Sequence, residues 1–173
     1  VIGREGQDDS RTVLRGNTAT DMCSRGMGGA VYMDGGGSFT MHSGTVEENR
    51  TSILNYWSGS GTLMYSGAFH IQNVESVQLL GGKILNNKAD NSDNIGTSCN
   101  GAGGVSIRAC DAVTVQNMLF EGNSTENRYD YKATALYVSD NTHYTGTMSY
   151  ITVSNCVFAA NVVGETATGN DVA

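Results

Sequence analysis

Five residues at two alternating strand positions have side chains suited to holding a sugar. Tyr32, His70 and Tyr137 take the second place of short alternating segments, and Asp34 and Arg108 take the fourth. Aromatic rings stack on the apolar faces of sugars, and an Asp with an Arg offers polar contacts to an acidic one. Ser106, Gln72 and Ser139 fill the matching places of the same segments. No catalytic residue is assigned among them. Glycoside hydrolysis uses two carboxylates at a defined separation, and Asp34 has no acidic neighbour in its own or the adjacent segment. Glu47 and Glu121 share a column but stand two repeats apart, roughly 10 Å at the spacing of stacked strands. His70 and His143 have no Ser or Cys partner in sequence that would make a nucleophile.

Other candidate chemistry is thin. Cys23, Cys99, Cys110 and Cys156 are candidates for disulfides, and four cysteines allow three fully paired connectivities. Cys23 and Cys99 both precede a glycine-led segment, so a clip between loops is one pairing; Cys99 with Cys110 is another. Cys156 falls in a column with Gly44, Gly82 and Met118 and reads as a small, partly buried thiol. No zinc spacing occurs. The acidic run at residues 90–94 lacks the glycine and terminal glutamate of a calcium loop, so neither metal nor cofactor is expected. Asn49-Arg50-Thr51 and Asn123-Ser124-Thr125 are glycosylation sequons. Asn49 and Asn123 are open to a glycan if they point outward, and closed to one if they point inward.

These residues are positioned by a repeat. Residues 39–49 (FTMHSGTVEEN) recur without a gap at 77–87, 113–123 and 151–161, and residues 14–17 match the end of the unit. Apolar residues fill the first column (Phe39, Val77, Val113, Ile151) and the third (Met41, Leu79, Val115, Val153). A larger apolar side chain stands three residues before the closing asparagine: Leu14, Val46, Ile84, Phe120 and Phe158. Asn17, Asn49, Asn87, Asn123 and Asn161 close the units, at separations of 32, 38, 36 and 38 residues. Between copies lies a glycine-led segment of period two, at residues 29–34, 67–72, 103–108 and 134–139. Period two means a strand with one buried face.

A long fixed period marks a solenoid, whose units bury apolar surface only against their neighbours. Column identity demands that like residues stack on like. The sequence therefore predicts an all-β, right-handed parallel β-helix of four to five coils. Three strands per coil end at the asparagine, and long loops leave from one edge after it. Asn at this recurring turn suits left-handed backbone, and its amide can bond the next in a ladder. Residues 1–173 read as one domain, with residues 1–11 matching no unit. The chain begins and ends within units, which predicts a portion of a longer repeat protein. Abundant Gly, Asn, Ser and Thr with no Pro fit short strands and turns.

The pairing of GGAV at residues 28–31 with FEGN at 120–123 and FAAN at 158–161 resembles the polymorphic outer-membrane protein repeats. That resemblance spans residues 14–161. It departs from the family pattern at Val46 and Ile84, where Phe is expected, and at Thr134-Ala135, where glycines are. It implies a right-handed β-helical passenger displayed on a surface, often as an adhesin.

The net charge of −7 and scattered basic residues speak against nucleic acid. No apolar run approaches spanning length. The expected role is an extracellular or cell-surface structural or adhesive solenoid, not an enzyme. Its partners would be its own kind end to end, a continuation of the same chain, surface glycans, or a host or cell-surface receptor. The alternative is a polysaccharide-binding module, or a β-helical polysaccharide lyase or hydrolase, using the glycine-led face.

Overall fold

A computed structural model describes residues 1–7, 11–21, 27–53, 63–90, 99–126, 133–139 and 150–163. The described residues are all-β and contain no helix. They therefore hold no helix long and apolar enough to cross a membrane. Every strand pairing between successive units is parallel, and the strands form five sheets.

The glycine-led strands Val31–Asp34, Phe69–Gln72, Val105–Arg108 and Leu136–Ser139 make sheet I. Ser38–Met41, Ser76–Leu79, Ala112–Gln116 and Tyr150–Ser154 make sheet II. Sheet III holds Val13–Arg15, Thr45–Glu47, Gly82–Leu85, Met118–Glu121 and Val157–Ala159. In all three, strands stack in the order of the chain, one unit upon the next. The registers are the sequence columns: Phe39, Val77, Val113 and Ile151 pair in one row, and Leu14, Val46, Ile84, Phe120 and Phe158 in another. Cys156 falls in line with Met118, one residue before the Leu119–Val157 pair.

Two further sheets were not legible in sequence. Each closing asparagine leads directly into another strand: Thr18–Asp21, Arg50–Ile53, Lys88–Asp90, Ser124–Glu126 and Val162–Val163 form sheet IV. Met27–Gly28, Leu63–Ser66 and Cys99–Ala102 form the short sheet V. The start of each stretch read as a loop is thus ordered pairing. Its polar composition hid it, since the inward places of sheet IV carry small residues, Thr51, Ala89 and Thr125. Ile2 also finds a place, bridging Met41 at the head of sheet II.

The core lies between the sheets. Met41, Leu79 and Val115 from sheet II meet Val46, Ile84 and Phe120 from sheet III and Phe69, Ile71, Val105 and Ile107 from sheet I, all fully buried. Phe39 packs edge-on against Phe69 at 5.3 Å, and Phe120 stacks on Phe158 at 5.0 Å. Burying one such aromatic contributes about 2–3 kcal/mol. The last row is open: Ile151 and Val153 are 54% and 41% exposed, although they continue buried columns.

The left-handed turn is one residue earlier than the sequence reading placed it. Gly16, Glu48, Asn86, Gly122 and Ala160, each just before a closing asparagine, have φ between 52° and 69°. The closing asparagines serve as hydrogen-bonding groups instead.

The glycines leading sheet I answer a different need. A Cβ on Gly67 would strike the carbonyl oxygen of Gly103 and the amide nitrogen of Lys88, and one on Gly29 the carbonyl oxygen of Gly67. Backbone of the next unit passes too close for a side chain. Thr134 takes the last place in this column, where no further described strand of sheet I follows.

Candidate functional site

Two arrangements bring the sequence candidates together: the asparagine column and the outer face of sheet I. In the column, Asn49, Asn87 and Asn123 are fully buried and Asn161 is 5% exposed. Nδ2 of each asparagine donates to Oδ1 of the next, over Asn17 to Asn161, at 2.8, 2.9, 3.0 and 2.9 Å. The backbone N–H of the same residue donates to the same oxygen, at 3.0–3.1 Å. The second hydrogen of Nδ2 reaches back to a carbonyl of the apolar column, Leu14 from Asn49, Val46 from Asn87, Ile84 from Asn123 and Phe120 from Asn161. An interior amide thus gives two bonds and takes two, the full capacity of the group.

The column points inward, which decides the two sequons. Nδ2 of Asn49 and of Asn123 is buried and donates twice. A glycan on that nitrogen is incompatible with the folded unit.

On the outer face of sheet I, strand register brings the predicted sugar-binding residues into two columns. Tyr32, His70, Ser106 and Tyr137 align in one, and Asp34, Gln72, Arg108 and Ser139 in the other. The face is nevertheless not the open platform expected. Only the first strand is open, with Tyr32 46% exposed; His70 and Ser106 are fully buried and Tyr137 is 7% exposed. Tyr137 belongs to a second small apolar cluster with Ala102 and Ala133, outside the main core. Arg108 is half-buried. A groove needing His70 and Tyr137 at the surface is therefore corrected to an edge made by Tyr32, Asp34 and Gln72.

That edge is knitted together. The Tyr32 ring stacks on His70, with centroids 5.7 Å apart and planes within 11°. Asp34 Oδ2 accepts from Gln72 Nε2 at 2.8 Å and from the Tyr32 hydroxyl at 3.1 Å, and Oδ1 accepts from Asn73 Nδ2 at 2.7 Å. Burial pushes the Asp34 carboxyl up, and the bonds from Asn73, Gln72 and Tyr32 outweigh it, holding the group below its ordinary range. Because Gln72 donates to Asp34, its Oε1 accepts from His70 Nε2 at 3.1 Å. Burial lowers the His70 pKa to about 4, so the ring is neutral near pH 7. Its Nδ1 and the Ser106 hydroxyl are both buried without a hydrogen bond. They do not bond each other, so the hydroxyl is not activated in this geometry. Asn73, which anchors Asp34, was not singled out by sequence; it lies in a turn with φ of 57° and carries no repeat signal.

Among the cysteines, Cys110 and Cys156 are free thiols. The disulfide candidacy is corrected for Cys110, while Cys156 is the small, half-buried thiol that its column suggested. Burial raises the Cys110 pKa, and its Sγ contacts the Arg108 carbonyl oxygen at 3.2 Å. Cys23 and the side chain of Cys99 lie outside the described residues, as does the rest of the acidic run after Asp90. Asp90 itself pairs with Arg50 of the preceding unit. Among the described residues no group of three or more His, Cys, Asp or Glu converges as a metal site.

No protein-family model matches the chain, no curated protein matches it, and no solved structure matches it.

Proposed function

We propose that the chain is a segment of a right-handed parallel β-helix with a non-enzymatic role. It acts as an extracellular or cell-surface solenoid that spaces, displays or adheres, in the manner of the polymorphic outer-membrane repeats. The observation that carries this reading is the unbroken asparagine ladder. Five units are joined by the same repeated bonds, buried from Asn49 onward, and such a device serves length and rigidity. Sheet registers that reproduce the apolar columns support the coil. The acidic composition suits a solvated exterior.

A second reading keeps one observation: Tyr32, exposed beside Asp34 and Gln72, is the remaining place on sheet I for a sugar to stack. Screening the protein against a broad panel of neutral and acidic oligosaccharides separates the two. The structural reading expects no saturable binding. Binding that is lost in Tyr32→Ala, with the melting temperature kept, would establish the carbohydrate reading in its place.

A further inference from the structure

Three buried polar atoms at the covered part of sheet I have no hydrogen-bond partner: Ser66 Oγ, His70 Nδ1 and Ser106 Oγ. Buried polar groups in folded chains are otherwise bonded. Register brings the three together. His70 and Ser106 pair on the two middle strands of sheet I, both outward. Ser66 stands between Gly28 and Ala102 in a column of sheet V. Each of those neighbours is set against the outward residue of sheet I one unit on. A Cβ on Gly28 would lie 2.7 Å from the His70 amide nitrogen, and Ala102 packs with Tyr137. The same offset sets Ser66 against Ser106.

The space over Ser106 follows from side-chain size. Tyr32, His70 and Tyr137 carry rings in the outward column, and Ser106 carries a hydroxymethyl group. Tyr32 and His70 stack as neighbours at 5.7 Å. His70 and Tyr137 stand two strands apart, roughly 10 Å, so this column leaves about the thickness of one ring unfilled between them. The place is closed to solvent, with Ser66, His70 and Ser106 all fully buried.

Donors and acceptors decide what fits there. The Asp34 carboxylate accepts from Gln72 Nε2, which turns Gln72 Oε1 toward His70 and fixes the ring proton on Nε2. Nδ1 is then a bare acceptor, and each serine hydroxyl can donate once and also accept. These three groups offer no counter-charge to an ion, and an apolar occupant would satisfy none of them. Water satisfies all three. One of its hydrogens goes to Nδ1 and the other to one serine oxygen, and its own oxygen accepts from the other serine. Three bonds are typical of an internal water.

We infer that a single internal water molecule is bound on the outer face of sheet I, donating to His70 Nδ1 and bridging the hydroxyls of Ser66 and Ser106. It joins two successive units from outside, as the asparagine amides join them from inside. The site does not depend on the role proposed above, since the registers place it.

Two solution measurements on the whole chain test it. Rotating-frame Overhauser spectra should show contact between water and the His70 Hε1 proton, next to Nδ1. Relaxation dispersion of the water oxygen-17 signal counts molecules held longer than the protein takes to tumble. Ser106→Val fills the space and removes a hydroxyl, so it should hold one such water fewer than the parent. An unchanged count overturns the site. So does a parent with no water contact at His70, the result expected if a serine turned its hydroxyl to the ring directly. If Ser106→Val loses its β-sheet circular dichroism, Ser66→Ala takes its place, because the next residue in that column is already alanine. It removes one of three bonds and should shorten the water's residence about fivefold or more; an equal residence time overturns the site.

Discussion

His70 shows how far one residue's role depends on what covers it. Period two placed it on the outer face of its strand, and that is where it sits. Its burial was not readable, because alternation reports which face a side chain occupies and not whether that face is covered. The consequence is a pH dependence with a definite sign. The ordinary histidine value is 6.5 and burial takes this one to about 4. The unfolded chain binds the proton more readily, so stability is complete above pH 6.5 and is lost as pH falls from there through 4. The loss amounts to about 3 kcal/mol at the acid end. Urea unfolding at pH 7 and pH 4 should show this difference in the parent but not in His70→Phe, which keeps the ring stacked on Tyr32. Equal acid sensitivity in the two proteins would remove His70 as the cause.

At the level of the strand and its turns, the sequence was most informative where identity had to repeat. Columns such as Val46–Ile84–Phe120 were visible because each side chain lies on its equivalent one unit away. Sheets IV and V escaped because their described buried places hold small residues common in loops, Thr51, Ala89 and Thr125 in the one and Gly28, Ser66 and Ala102 in the other. The left-handed residue was misplaced by one because Gly16, Glu48, Asn86, Gly122 and Ala160 share a conformation and no chemistry. Glycine at the head of sheet I, by contrast, was visible and has a steric reason. Gly67→Ala puts a methyl into two backbone atoms of the next unit, one of them the Lys88 amide nitrogen, which is held by its bond to the Asn49 carbonyl. The expected cost is about 3 kcal/mol, read by chemical denaturation. A change under about 0.5 kcal/mol would show that the units can separate to make room.

For the molecule as a whole, stability is a sum of contacts between neighbours, because each unit has too little apolar surface to stand alone. Position along the stack then matters more than residue type. Asn87→Ala in the middle removes an amide with four bonds and strands the buried donors of Asn49. Asn17→Ala at the head removes an exposed amide that gives a single side-chain bond. The first should cost about 3 kcal/mol and the second about 1 kcal/mol or less, compared by thermal or urea unfolding. Equal costs would mean that the rungs do not act as a nearest-neighbour chain. The order and stacking of the units were legible before any coordinates, since the asparagine spacing alone sets them out. The closed outer face of sheet I was not, because no periodic signal accompanies its cover.

The ladder also gives the molecule an electrical sense. In the sheets, hydrogen bonds between units run both ways: Thr45 N–H points back to Thr12 while Gly16 N–H points forward to Glu47. Their dipoles cancel along the stack, as sheet dipoles do. The asparagine amides do not alternate. From Asn17 to Asn123 each Nδ2 gives one hydrogen forward to the next Oδ1, and from Asn49 to Asn161 each Oδ1 faces back, so the C=O moments of the amides add, with partial negative charge toward Asn17 and partial positive charge toward Asn161. Bonds in such a series polarise one another. Each added unit lengthens an axial dipole, and a suspended stack of them would turn to align with an applied electric field.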